Sequence, residues 1–79
     1  MPTVLRVGGF RLFFFSNEGD PREPIHIHVR RGDALAKFWL KLVQLADSFG
    51  FDGRTLVNLA KLVEDNATAT ERAWHDHFG

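Results

Sequence analysis

The residues best suited to chemistry are two histidines that lie two positions apart, His26 and His28. They belong to the segment EPIHIHVR (residues 23–30), in which branched apolar side chains alternate with the two imidazoles and Arg30. Strict alternation is typical of a β-strand, and side chains two positions apart on a strand share a face. We therefore expect both imidazoles and the guanidinium on one face of a sheet. Imidazoles transfer protons near neutral pH and bind divalent metals, and cationic side chains attract anions.

Two glycine-containing turns predict the sheet around this strand. Gly8-Gly9 joins residues 3–7 to residues 10–15, and Gly32-Asp33 joins the histidine strand to residues 34–40. Both pairs favour two-residue hairpin turns, which determine the register of the flanking strands. The predicted cross-strand pairs are Val7–Phe10, Arg6–Arg11, Leu5–Leu12, Val4–Phe13, Arg30–Leu35, His28–Lys37, Ile27–Phe38 and His26–Trp39.

The two hairpins predict one apolar face and one mixed face, which we call the second face. The second face carries Arg6, Arg11, Phe13, Phe15, His26, His28, Arg30, Lys37 and Trp39. We expect the rings of Phe13, Phe15 and Trp39 to lie in or near water, because no predicted element is left to cover them. An exposed aromatic patch usually marks an interaction surface.

The rest of the chain predicts a short strand and a helical segment. Residues 42–46 favour a fifth strand, although the first turn of a helix fits them too. Asp52 is a predicted N-cap for a helix from about Gly53, whose apolar stripe continues to His77. Weak helix formers at residues 66–70 predict one helix with a weak point or two helices in succession. The predicted fold class is α+β, a small antiparallel sheet of four or five strands with helix packed on one face.

Size and composition exclude several classes of protein. Seventy-nine residues predict one domain, with a sheet half at 1–47 and a helical half at 52–79. A chain this short buries only about 60% of its unfolded surface, which argues against a multilayer enzyme. Ten basic residues balance ten acidic ones, so there is no overall basic field for nucleic acids. The absence of cysteine, of a membrane-length apolar run and of a signal-like start predicts a cytoplasmic protein.

Several short motifs carry a resemblance to a known family. They are MPTVLR (1–6), FFFSNE (13–18), Pro24 with HIHV (26–29), AKFWL (36–40) and the ending AWHDHFG (73–79). Together they resemble the small bacterial family called domain of unknown function 4160. Some of its members look like halves of toxin–antitoxin operons, so the resemblance implies a toxin-like component with a small antitoxin-like partner encoded nearby. The chain departs from the family pattern at Ile25, which separates Pro24 from His26, and at Phe15, where tyrosine is common.

Three kinds of function fit the second face, and we expect them in the order given. The first is a protein interface, in which a small partner or a second copy of the chain covers the rings. The second is an RNA surface or a metal-independent ribonuclease, with the cationic side chains on phosphates, the rings on bases, and His26, His28 and Lys37 in catalysis. The third is a metal site at His26 and His28, for which Glu23, or Glu18 or Asp20, would supply a further ligand. No cofactor is expected.

One structural alternative would leave the histidines without a functional role. The C-terminal segment could fold over the second face, so that Trp74 and Phe78 build a second small core around His26 and His28. The histidines would then be hydrogen-bonded core residues.

Overall fold

The computed structural model describes residues 3–15 and 23–79, which form an antiparallel sheet followed by two helices. The strands are β1 (Thr3–Val7), β2 (Phe10–Phe13), β3 (His26–Arg31), β4 (Ala34–Trp39) and β5 (Gln44–Phe49). They lie side by side in chain order, so β1 and β5 are the edges of the sheet. The helices are α1 (Gly53–Asp65) and α2 (Ala67–Phe78). The predicted α+β class is confirmed.

The glycine turns place both hairpins in nearly the predicted register. Gly8, Gly9 and Gly32 have φ angles of 54°, 83° and 60°, a region of backbone conformation that residues other than glycine rarely adopt. All four pairs predicted for the second hairpin are present, and so are three of the four predicted for the first. The prediction that Val4 faces Phe13 was wrong. A bulge between Thr3 and Leu5 places Thr3 opposite Phe13 instead.

The fifth strand is present, but it begins two residues later than predicted. Residues 40–43 form the turn, and β5 continues through Phe49, three residues beyond the predicted end at residue 46. A second irregularity lies between β4 and β5, because Lys37 pairs with Asp47 whereas Phe38 pairs with Leu45. All six residues of β5 are exposed, as the edge position allows.

The helical segment consists of two helices in succession, which confirms the second of the two predicted alternatives. Asp52 is the N-cap of α1, and its carboxylate accepts a hydrogen bond of 2.8 Å from the backbone amide of Thr55. Hydrogen bonds from the side chain and the backbone of Thr55 hold the pKa of Asp52 below its usual 3.8. The helices meet at Asn66, whose side-chain amide donates to the carbonyl of Leu62 at 2.8 Å.

The apolar face of the sheet packs against the helices and forms the core. The buried members of this core are Leu12, Phe14, Ile27, Val29, Ala36, Phe38, Leu40, Leu59, Val63 and Trp74. The predicted helical stripe supplies Val63, Thr70 and Trp74, whereas His77 at its end is exposed. The core therefore lies on the side of the sheet opposite the second face.

Candidate functional site on the second face

Cross-strand pairing arranges the second face as three rows that run across the strands. The arginine row contains Arg6, Arg11, Arg30, Leu35 and Phe49. The lysine row contains Thr3, Phe13, His28, Lys37 and Asp47. The tryptophan row contains His26, Trp39 and Gln44. The second-face residues predicted from the sequence thus lie on one continuous surface, with Phe15 two residues beyond the end of β2.

The imidazole of His28 lies within a cluster of aromatic rings. Its ring centroid is 5.5 Å from that of Phe13, in a stacked arrangement, and 4.6 Å from that of Phe15. The ring of His26 lies edge-on at 5.3 Å. Only 6% of His28 is exposed. This histidine is therefore part of a packed layer in the described structure.

The imidazole of His26 is fully buried and makes a defined hydrogen bond. Its Nδ1 lies 2.9 Å from the carbonyl oxygen of Pro24. Because a carbonyl only accepts, Nδ1 carries a proton and donates it. The ring also contacts Trp39 at 5.7 Å and Trp74 at 5.0 Å between centroids. These contacts fix the orientation of the imidazole.

The C-terminal helix reaches the edge of the second face at Trp74. Trp74 contacts His26 on that face and also packs against Phe14 of the apolar face, at 5.2 Å between ring centroids. Phe78, by contrast, packs on Phe14 and on Trp74 itself. The alternative in which the C-terminal segment covers the second face therefore holds for Trp74 at His26. Phe78 belongs to the apolar side.

The expectation that the aromatic rings lie in or near water was wrong for Phe13. Phe13 is fully buried, and Phe15 and Trp39 are half-buried. Cationic groups lie over the rings. The guanidinium carbons of Arg11 and Arg30 lie 4.6 and 5.8 Å from the centroid of Phe13, and Lys37 Nζ lies 4.6 Å from that of Trp39. Cation–π attraction thus covers ring faces that the alternation pattern had assigned to solvent.

Glu23 makes an ion pair with a cation of this face. Its Oε1 lies 3.0 Å from Lys37 Nζ, with both side chains partly exposed. Within residues 3–15 and 23–79 there is no group of three His, Cys, Asp or Glu side chains arranged to hold a metal ion. The other predicted acidic ligands, Glu18 and Asp20, lie outside the described residues. The metal-site hypothesis stays a prediction.

The arginine row combines a charged end and an apolar end. Arg11 Nε donates to Thr3 Oγ1 at 2.8 Å. Arg30 Nε is buried, and among the described residues it has no hydrogen-bond partner. At the other end of the row, Phe49 is 73% exposed opposite Leu35. The sequence pattern missed Phe49 and Asp47. Both lie on β5, so the correct bounds of that strand would have assigned them to this face.

A shallow pocket of about 110 Å³ opens beside His28 on the β4–β5 side. It is lined by His28, Leu35, Ala36, Lys37, Asp47, Ser48 and Phe49. Sites for small molecules usually enclose about 300–1,000 Å³, so this pocket fits a single side chain. A wider, open groove of about 560 Å³ lies at the start of β3, next to Trp74.

The fold and this face define a small α+β domain with one helix-covered apolar face and one face of imidazoles, cations and aromatic rings. The family model "Domain of unknown function (DUF4160)" matches residues 9–75, and the chain belongs to this family. The resemblance inferred from the motifs is thereby confirmed. The matched range contains all second-face residues named above except Thr3 and Arg6.

Neither the curated proteins nor the solved structures contain a match to this chain. Across the described residues, neither helix is long and apolar enough to span a membrane.

Proposed function

We propose that the chain is a protein-interaction module that binds a small partner protein through its second face, as the toxin-like component of a two-gene toxin–antitoxin system. The observation that carries the proposal is the exposure of Phe49, 73% of which is open to solvent beside a pocket of side-chain size. A large exposed ring opposite half-buried Leu35, on the face that also carries half-buried Trp39, has the composition of an interface centre.

The contacts of the aromatic rings favour a protein partner over RNA. Sequence-independent RNA binding stacks bases on open ring faces. Here Phe13 is buried beneath guanidinium groups, and the ammonium of Lys37 lies over Trp39. The family resemblance adds the expectation of a partner encoded nearby.

A metal-independent ribonuclease that uses His26 and His28 is the second candidate function. The two imidazoles lie 5.3 Å apart between ring centroids, which would let them act on one phosphodiester. The burial of both imidazoles argues against a ribonuclease and for the protein-interaction module. A phosphodiester must come within hydrogen-bond distance of the nitrogens that exchange its proton.

The interaction is tested by co-expressing the chain with the small protein encoded beside it and measuring the complex by size-exclusion chromatography and titration. Phe49→Ala should weaken binding at least about tenfold, which corresponds to about 1.4 kcal/mol. Val57→Ala is the matched control, because Val57 is a similarly exposed apolar residue on α1, 71% exposed. Equal binding by wild type and Phe49→Ala would contradict this interface, and the absence of any complex with wild type would contradict the interaction module.

The toxin-like role is tested by bacterial growth after induction of the chain alone. We expect growth arrest by wild type and by the His26→Gln/His28→Gln variant, checked for equal folding by circular dichroism. Arrest that the histidine changes abolish in a folded variant would support the ribonuclease instead, and RNA integrity would then be measured. Normal growth with wild type would overturn the toxin-like role.

A further inference from the structure

Strand β5 is an edge of the sheet whose backbone is open on its outer side. All six of its residues are exposed, and among the described residues no strand pairs beyond it. Large hydrophobic side chains are exposed on β5 or in the turn before it, at Leu42, Leu45 and Phe49. The other edge strand, β1, carries the charged Arg6 and has two half-buried residues. An exposed apolar edge such as β5 is a template for a further strand.

The backbone amide of Ser48 shows which groups of this edge face outwards. It donates a hydrogen bond of 2.9 Å to Oδ1 of Asp47, so it lies outside the β4–β5 ladder. Residues of an antiparallel strand direct their backbone groups alternately to one side and to the other. Ser48, opposite Ala36, therefore directs its N–H and C=O away from the sheet, whereas its neighbours Asp47 and Phe49 face β4. The carbonyl of an added strand can replace the exposed Asp47 carboxylate on this amide.

Asp47 and Phe49 determine which side chains fit a strand added here. Both lie on the second face, two positions and thus about 7 Å apart along β5. Phe49 is 73% exposed. The ammonium of Lys37 lies 3.0 Å from Glu23, and Asp47 itself makes no ion pair among the described residues. Because opposite side chains of adjacent strands pair, a fitting strand has an aromatic residue facing Phe49 and a basic residue facing Asp47.

The charge of Asp47 argues against a second copy of the chain as the added strand. The irregularity between Asp47 and Leu45 leaves residues 47–49 as the regular part of the edge. A two-fold axis at Asp47 or at Ser48 would bring the two Asp47 carboxylates to within about 5–8 Å on the same face, which destabilises a sheet. An axis at Phe49 would place Ser48 opposite Gly50, beyond the end of the strand.

We infer that the partner protein adds a short extended segment to β5, antiparallel to residues 47–49, with the sequence pattern aromatic-x-basic. Its aromatic ring lies on Phe49, its basic group lies on Asp47, and its central residue exchanges two backbone hydrogen bonds with Ser48. In such strand addition the backbone contributes affinity and the alternate side chains contribute specificity. This inference rests on the proposed function, and it adds the chemistry and the orientation of the partner's segment.

The inference is tested by fluorescence anisotropy with labelled seven-residue peptides that have Trp-Thr-Lys at their centre. N-methylation of the threonine removes the N–H that would bond to Ser48. N-methylation of the lysine, whose N–H would face away from β5, is the matched control. We expect methylation at threonine to weaken binding at least tenfold and methylation at lysine to change it less than twofold. Replacing the peptide lysine with glutamate should weaken binding by wild type about fivefold, and binding by Asp47→Asn less.

Equal binding of the two methylated peptides would overturn the inference, and so would the absence of binding by the unmethylated peptide. A preference for lysine over glutamate that is the same in wild type and in Asp47→Asn would also contradict it, because the basic residue would then not lie on this carboxylate.

Ser48→Pro removes the same backbone hydrogen bond from the other partner. This amide is outside the ladder, and proline is tolerated on edge strands where the N–H faces solvent, so the variant should fold. Ser48→Ala keeps the N–H and is the matched control. We expect Ser48→Pro to weaken the complex with the natural partner at least tenfold and Ser48→Ala to leave it unchanged, with folding checked by circular dichroism. If Ser48→Pro does not fold, the methylated peptides decide.

The inference and the proposed function can fail separately. If Phe49→Ala weakens the complex with the natural partner while folded Ser48→Pro does not, the inference fails and the proposed function stands. If wild type forms no complex, the proposed function fails as well. Self-association of the chain alone that Ser48→Pro abolishes would assign the edge to a second copy and overturn the inference.

Discussion

The two faces of strand β3 are buried to nearly the same extent, but by different kinds of groups. Ile27 and Val29 lie in the apolar core, on the face that the two helices cover. His26 and His28 lie on the other face beneath aromatic rings, and cationic side chains surround these rings. The core side is formed by packed apolar side chains. The second face adds polar groups that each need an acceptor or donor.

This difference explains why one face is a core and the other is a candidate binding surface. Once apolar side chains are packed in a core, their surface is already in contact with neighbours and is not available to a partner. On the second face, donors such as Arg30 Nε and exposed rings such as Phe49 still gain from new contacts. The same sheet therefore supports folding on one side and offers recognition on the other.

The largest expected effect on stability comes from truncating buried phenylalanines. We compare Phe38 in the core with Phe13 on the second face. Phe38→Ala should lower the free energy of unfolding by about 3–5 kcal/mol, because it leaves a cavity among apolar side chains. Phe13→Ala should cost less, because water can enter the space and solvate the guanidinium groups of Arg11 and Arg30. Urea unfolding followed by circular dichroism measures both.

If either alanine variant is too unstable to unfold cooperatively, Phe38→Leu and Phe13→Leu give the same comparison at smaller amplitude. A greater loss at Phe13 than at Phe38 would show that the second face is as important to folding as the core, and the comparison would fail.

A smaller effect on stability distinguishes the ring contacts of His26 from its hydrogen bonding. His26→Phe keeps an aromatic ring against Trp74 and loses the hydrogen bond to the carbonyl of Pro24, so we expect a cost of about 1 kcal/mol. His26→Gln loses the ring contacts and buries an amide, with a larger expected cost of about 1–3 kcal/mol. Thermal or urea unfolding of the two variants decides between them. Better tolerance of glutamine than of phenylalanine would mean that hydrogen bonding, and not ring packing, holds this residue.

The sequence predicted the two hairpins because their information is local. Gly8-Gly9 and Gly32-Asp33 determine turn geometry, and turn geometry determines register. The prediction failed at Val4, where a bulge shifts the pairing, and it placed the start of β5 two residues too early. A bulge arises when packing between strands makes an extra residue favourable, and the residue types there do not indicate it.

The burial of Phe13 illustrates a second limit of sequence patterns. Alternation correctly assigned Phe13 to the second face, but it contains no information about what lies above that face. The stack with His28 and the guanidinium of Arg11 depend on side-chain conformations and on the contacts of neighbouring strands. Phe49 was missed for a related reason, because it follows a serine and precedes a glycine in a segment that resembles a loop.

The smallest expected effect is the contribution of Asp52, the N-cap of α1, to stability. This helix packs on the apolar face of the sheet. The pKa of Asp52 in the folded protein lies below the usual 3.8, because Thr55 donates hydrogen bonds to the carboxylate. The ionised cap therefore contributes stability that is fully present above the unfolded pKa and is lost as the pH falls through the folded pKa. Asp52→Asn keeps a capping side chain but cannot titrate. We expect the difference in melting temperature between wild type and Asp52→Asn to shrink as the pH falls below about 4. An unchanged difference would mean that the charge of this cap does not hold α1 against the core.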